Sequence, residues 1–133
     1  MLYMLDTDTC AFIARQKHAK VTSRFQSHRA GEVAMSVVTY GELRVGAEKS
    51  DRYPASLDAL ELFIQVVPVL SIEPEVAQLY SKIRLDLERR GQIIGANDLW
   101  IASHCLHLGL TLVTNNEREF KRIPNLPIEN WTQ

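Results

Sequence analysis

Short apolar runs alternate along this chain with stripes of apolar residues at helical spacing. Leu2 to Leu5 form a run that stops at Asp6. Asp8 or Thr7 can then cap a helix through Phe12 and Ile13, because a short side-chain oxygen accepts the orphan amide hydrogens of a first turn. Val33 to Val38 make a second, β-branched run, of the kind buried on both faces of a parallel sheet. Thr39-Tyr40-Gly41-Glu42 follows with the spacing of a capping box and opens a helix through Val45 and Ala47. Ser56 is placed to cap a third helix, with Leu57, Leu60 and Ile64 on one side.

Val66 to Leu70 reads as a strand that Pro68 confines to an edge or a bulge, since proline has no amide hydrogen for a ladder. Pro74 suits a first helical turn. Val76, Leu79, Tyr80, Ile83 and Leu87 then form one apolar stripe that ends before Gly91. Asn97 or Asp98 starts the next helix, which carries Ile101, Ala102, Cys105 and Leu108 to Gly109. Thr111 to Thr114 reads as a strand, and Ile123 to Trp131 has room for a last short one. The alternation predicts an α/β fold with a mostly parallel sheet. No repeat or low-complexity tract interrupts it, so one domain over 1–133 is expected. Lys49 to Ala55 is the most polar loop and the candidate for a mobile segment.

Composition changes this picture little. With 133 residues, 46% hydrophobic and 23% charged, the chain has the make-up of an ordinary soluble domain. Its formal net charge of −1 gives no broad basic footprint, so any groove for nucleic acid must be local. Cys10 and Cys105 lack the spacing of a zinc site or a disulfide framework and read as small buried residues. No apolar run reaches membrane-spanning length, and the start of the chain is not that of a signal peptide. A cytoplasmic protein without membrane partners is the expectation.

Four polar positions share one address. Asp6 follows the first strand, Glu42 lies a turn beyond the second, Asp98 opens a helix, and Asn115-Asn116 follow the Thr111–Thr114 strand. Open parallel sheets build their sites at the carboxyl ends of strands, where loops and helix N-termini converge. Carboxylates crowded there repel, and a bound cation or a shared proton relieves them. Hard oxygen ligands suit Mg²⁺, with Mn²⁺ a substitute, and such a metal activates water and neutralises a phosphate. Each acid also has a structural explanation: Asp6 as a helix cap, Glu42 as the capping-box glutamate, Asp98 as a first-turn acid favoured by the helix dipole.

The strings Leu5-Asp6-Thr7, Thr39-Tyr40-Gly41-Glu42-Leu43, Asn97-Asp98-Leu99-Trp100-Ile101-Ala102 and Leu112-Val113-Thr114-Asn115-Asn116 with Glu119-Phe120, in that order, closely resemble the PIN-domain family. Within it they are similar to the VapC toxins of type II toxin–antitoxin pairs, over essentially the whole chain. The resemblance implies a three-layer α/β/α sandwich and a Mg²⁺-dependent endoribonuclease, with initiator tRNA at its anticodon loop as the leading substrate. It also implies a homodimer neutralised by a VapB-type antitoxin that inserts a C-terminal segment near the acidic pocket, with DNA reached only through that partner. Carried over residue by residue, Asp6 and Asp98 would bind the metal, and Glu42 the metal or the attacking water. Asn116 stands where many relatives have aspartate, which favours one metal over two. Glu117 or Glu119 can compensate, with Glu119 favoured because it belongs to the Glu119-Phe120 motif. Asp8, often asparagine in relatives, adds charge at the rim or caps the helix.

Arg84, Arg89 and Arg90, and Lys17, Lys20 and Arg24, can guide RNA or simply solvate helix faces. His104 and His107 are i, i+3 neighbours expected at the surface or a dimer contact, and Trp100 is expected in core or dimer packing. Two other readings compete. Asp6-Thr7-Asp8-Thr9 also resembles the nucleophile motif of haloacid-dehalogenase-like phosphatases, in which Asp6 would attack phosphorus. That reading leaves Glu42 and the Asn115–Phe120 string unexplained, and no strand-end Lys supports it. A binding module, either receiver-like or a catalytically inactive PIN domain, is the other.

Overall fold

The computed structural model describes all residues from Met1 to Gln133. Five parallel strands form one sheet in the order β3-β2-β1-β4-β5, in which β1 is Tyr3–Leu5, β2 Val33–Ser36, β3 Val69–Leu70, β4 Thr111–Val113 and β5 Ile128–Glu129. Helices α1 (Thr7–Arg15), α2 (Ala19–Gln26), α3 (Val37–Lys49) and α4 (Tyr53–Val66) belong to the first half of the chain. Helices α5 (Pro74–Arg89), α6 (Ala96–Leu108) and the single turn α7 (Glu117–Phe120) belong to the second.

Side chains alternate across a strand, so β1 feeds two cores. Met4 packs with Leu112, Ile83, Leu87 and Ile101 against α5 and α6. Leu5 packs with Val33, Met35, Val113 and Ile13 toward α1. The apolar runs thus become strands covered on both faces, which makes the molecule an α/β/α sandwich. From β1 the chain builds outward to β2 and β3, then crosses back to β4 and β5 on the other side. The order of the sheet therefore reverses beside β1, and a crevice opens at the carboxyl ends of β1 and β4.

Several element starts differ from the sequence pattern. Asp6, not Asp8 or Thr7, caps α1, its Oδ1 accepting from the Thr9 amide at 2.9 Å. Helix α3 begins at Val37 rather than after Thr39, capped by Ser36, whose Oγ accepts from the Val38 amide at 3.2 Å. Glu42 consequently lies in the second turn and is no capping-box residue. Helix α4 begins at Tyr53 with Pro54 in its first turn, so Ser56 lies inside it and the polar loop shrinks to Ser50–Arg52. Val66 ends α4, and only Val69–Leu70 pair as an edge strand. Helix α2 is unpredicted.

His104 is also misplaced by the surface expectation. It is 1% exposed, with Nδ1 2.9 Å from Ser36 Oγ. Burial lowers its pKa, so the ring is neutral and ties α6 to the cap of α3. His107 is exposed and 3.9 Å from Glu73, beside Glu75. Trp100 packs flat on Tyr80 at a centroid distance of 3.9 Å, joining α5 to α6. Cys10 and Cys105 are buried and free, and burial pushes Cys105 up to about 12 and Cys10 up as well.

Candidate active site

Asp6 follows β1 directly and is 5% exposed. Its amide donates to the Val113 carbonyl at 3.0 Å, extending the β1–β4 pairing by one residue and fixing the carboxylate at the crevice. Burial raises its pKa, against hydrogen bonds from Thr114 and Thr9 that oppose the rise. Glu42 projects from α3 between two elements: Thr7 Oγ1 donates to its Oε1 at 2.5 Å, and Asn97 Nδ2 lies 3.5 Å from its Oε2. Thr7 Oγ1 also stands 3.4 Å from the buried Thr39. One glutamate is thereby held jointly by α1 and α6.

Asp98 sits in the first turn of α6, whose cap, Gly95, offers no side chain. A Cβ at Gly95 would lie 3.8 Å from Asp98 Oδ2, so the carboxylate stays against the helix start. The helix dipole alone would favour its ionisation. Burial, followed by the fields of Glu42, Asp6, Glu119 and Asp8, outweighs that and pushes it up to about 6.

Asn116 precedes α7, its amide held by Thr114 Oγ1 at 2.9 Å, and its Nδ2 donates to Glu119 Oε2 at 2.8 Å. Glu119 belongs to the acidic field. Glu117 turns instead to Asn130 Nδ2 at 3.1 Å and Lys121 at 4.0 Å. The sequence-selected Asp6, Glu42, Asp98, Asn116 and Glu119 are therefore brought to one crevice, and exposed Asp8 stands at its rim. Thr7, Thr39, Asn97 and Thr114 all stand in the family-like strings, but their role as neutral brackets of the acids was missed from the sequence.

None of Asp6, Asp8, Glu42, Asp98 and Glu119 takes part in an ion pair. Crowded carboxylates with no cation, one of them almost fully buried, form a donor set suited to a hard divalent metal. The arrangement stands at the switch point of the sheet, where open parallel α/β folds build their sites.

The fold and this site define a nuclease domain of the PIN class. The PIN domain profile matches residues 3–126, and the chain belongs to that family. Its relatives include VapC ribonucleases. It is 37% identical over 129 residues to Ribonuclease VapC2 of Haemophilus influenzae, covering 97% of both chains. It is 40% identical over 129 residues to the tRNA(fMet)-specific endonuclease VapC of Salmonella typhimurium, covering 97% of both. Among solved structures, the DNA-bound VapBC of Salmonella typhimurium superposes with a TM-score of 0.91 at 40% identity, covering 98% of this chain and 99% of that one. VapBC-1 of nontypeable Haemophilus influenzae gives a TM-score of 0.90 at 37% identity over the whole of both chains.

Proposed function

We propose that this chain is the toxin of a type II toxin–antitoxin pair, a Mg²⁺-dependent endoribonuclease that cuts tRNA, with the initiator tRNA anticodon loop the leading target. The observation that carries this reading is the uncompensated acidic crevice, in which Asp98 is pushed up to about 6 with no basic neighbour to relieve it. Asp6 and Asp98 would hold the ion, with Glu42 as a third ligand or as the group that orients water. Mn²⁺ is a chemically equivalent substitute. When bound, the ion supplies charge neutralisation at phosphate and a lowered pKa for water.

The chain's own residues do the rest. Thr7 and Asn97 fix the Glu42 carboxylate so that it accepts a proton from the attacking water as the new phosphorus–oxygen bond forms and the bond to the leaving ribose oxygen breaks, that oxygen taking a proton from solvent. Thr114 and the Thr9 amide keep Asp6 in one rotamer. Asn116 holds Glu119 toward the crevice without adding charge, which supports one tightly held ion.

An apolar groove of about 650 Å³ between α1, α3 and α4, lined by Ala14, Leu43, Leu60, Leu62, Phe63 and Val66, is the surface we assign to a VapB-type antitoxin. Its apolar walls suit an amphipathic segment, and DNA would be reached only through that partner. Val37 and Val45, 41% and 53% exposed along α3 on either side of Gly41, support a homodimer contact. No helix is long and apolar enough to cross a membrane, and we place the protein in the cytoplasm.

The test is expression of wild type and Asp6→Ala in cells, with mapping of new RNA 5′ ends. New ends confined to tRNA in the wild type, and absent in the variant, are expected. New ends that persist in Asp6→Ala would overturn the reading.

A further inference from the structure

A second recess, of about 190 Å³, lies between α5 and the connection to α6. Leu87, Ile94 and Leu99, all at most 4% exposed, make its floor, while Tyr80, Arg84 and Ile93 make its mouth. Ile93 is 62% exposed, yet its position is fixed: Arg122 Nη1 donates to its carbonyl at 3.0 Å, and Arg90 Nη2 donates to the Arg122 carbonyl at 2.7 Å. Arg84 is fixed too, Nε bonding Glu88 at 2.8 Å and Nη1 bonding the Tyr80 hydroxyl at 3.0 Å. Its Nη2 hydrogens are left without a protein partner. Tyr80 is in turn held flat against Trp100 at 3.9 Å.

The recess and the acidic crevice draw on the same start of α6. Ala96 and Leu99 line the recess from the same first turn of α6 that carries Asp98, whose Oδ2 lies over Gly95. A phosphate drawn to a cation held at Asp98 would place an attached nucleotide beside the helix turn that also lines the recess. Apolar walls, an aromatic edge and a rigid guanidinium that can only donate are the features that bind an unstacked base through its carbonyl edge.

We propose that this recess seats a nucleobase flanking the scissile phosphate, one presenting a keto oxygen to Arg84, and so helps to select the cleavage position. The inference rests on the RNA-cleaving reading above. Ile93 closes over one face of the base, and the neutralised Arg84 pair with Glu88 keeps the guanidinium plane from rotating.

The test uses a short oligoribonucleotide that the wild type cleaves in Mg²⁺, with an abasic nucleotide scanned through the positions on either side of the cut. Contacts to one stacked base are worth about 1–3 kcal/mol, so kcat/KM of the wild type should fall roughly 10-fold at one position only. Ile93→Ser and Arg84→Ala should each lose a similar factor on intact RNA and little more on the abasic strand. Both sites are at the surface, and unchanged thermal midpoints with and without Mg²⁺ would show that fold and metal site are intact. Full activity of both variants on intact RNA, or an undiminished abasic penalty in both, would overturn the base site alone. A wild type that cleaves no RNA would overturn the nuclease reading, and with it this one.

Discussion

Two groups of carboxylates coexist in this fold. Away from the crevice several acids stand beside cations: Glu129 at the end of β5 meets Arg24 at 2.9 Å, and on α5 Asp86 meets Arg90 at 2.7 Å and Glu88 meets Arg84 at 2.8 Å. At the carboxyl edge of the sheet, five acids meet none. Glu32 and Asp98 show the consequence in opposite directions. The Arg29 amide and then His28 hold Glu32 below the usual carboxylate range, whereas burial and four acidic neighbours push Asp98 up to about 6. A nearly neutral chain thus concentrates its unbalanced charge in one crevice. Asp86 and Glu88 are each paired about one turn away along the helix, whereas the inner acids have no cationic side chain beside them.

The sharpest way to break that contrast is to remove an inner acid. Asp6→Ala or Asp98→Asn should lower metal-dependent RNA cleavage at least about 100-fold, since even partners that only support a metal ligand are worth about 10- to 100-fold. Circular dichroism should show an unchanged fold. Loosening Glu42 should cost less. Thr7→Val or Asn97→Ala leaves every carboxylate in place, and about a 10-fold fall in kcat with little change in KM is expected.

A smaller effect concerns stability without metal. The folded pKa of Asp98 lies above the unfolded value of about 3.9. Protonated Asp98 is therefore preferred by the fold, and its contribution is fully present below pH of about 4 and lost as pH rises through about 6. Discounted for solvent screening of a half-exposed group, this is worth about 1 kcal/mol. Metal-free Asp98→Asn should melt about 4 °C above wild type at pH 7.5 and match it near pH 4. The smallest effect belongs to the outer group. Arg44→Ala removes contacts to Tyr40 at 3.3 Å and Glu61 at 3.5 Å. It should leave the thermal midpoint nearly unchanged and RNA cleavage unchanged.

How much of this was legible in the sequence depended on whether a feature was local. The runs at Leu2–Leu5 and Thr111–Val113 and the stripe of α5 carry their own period, and each became the element it predicted. Helix α2 shows only Val21 and Phe25 as an apolar pair in a polar stretch, too few to betray a helix whose sole buried side chain is Val21. Val37 and Val38 are β-branched and extend the strand pattern, yet they begin a helix. The choice is made by Ser36, whose hydroxyl caps α3 and meets His104 from 68 residues away. Asp6 was readable because a charge ending an apolar run demands a partner. The brackets on Glu42 from Thr7 and Asn97 arise only when α1, α3 and α6 pack, and nothing in their spacing announces it. Asn116 read as a lost acid, whereas its amide aims a remaining one, Glu119.

The account turns on whether the inner acids await a divalent ion. Calorimetric titration of the metal-free protein with Mg²⁺ at pH 7.5 and pH 5, alongside Asp98→Asn, tests this directly. Binding at pH 7.5 that weakens sharply at pH 5 with uptake of metal releasing protons, and that is lost in the variant, is the predicted result. Binding indifferent both to pH and to the loss of Asp98 would contradict it.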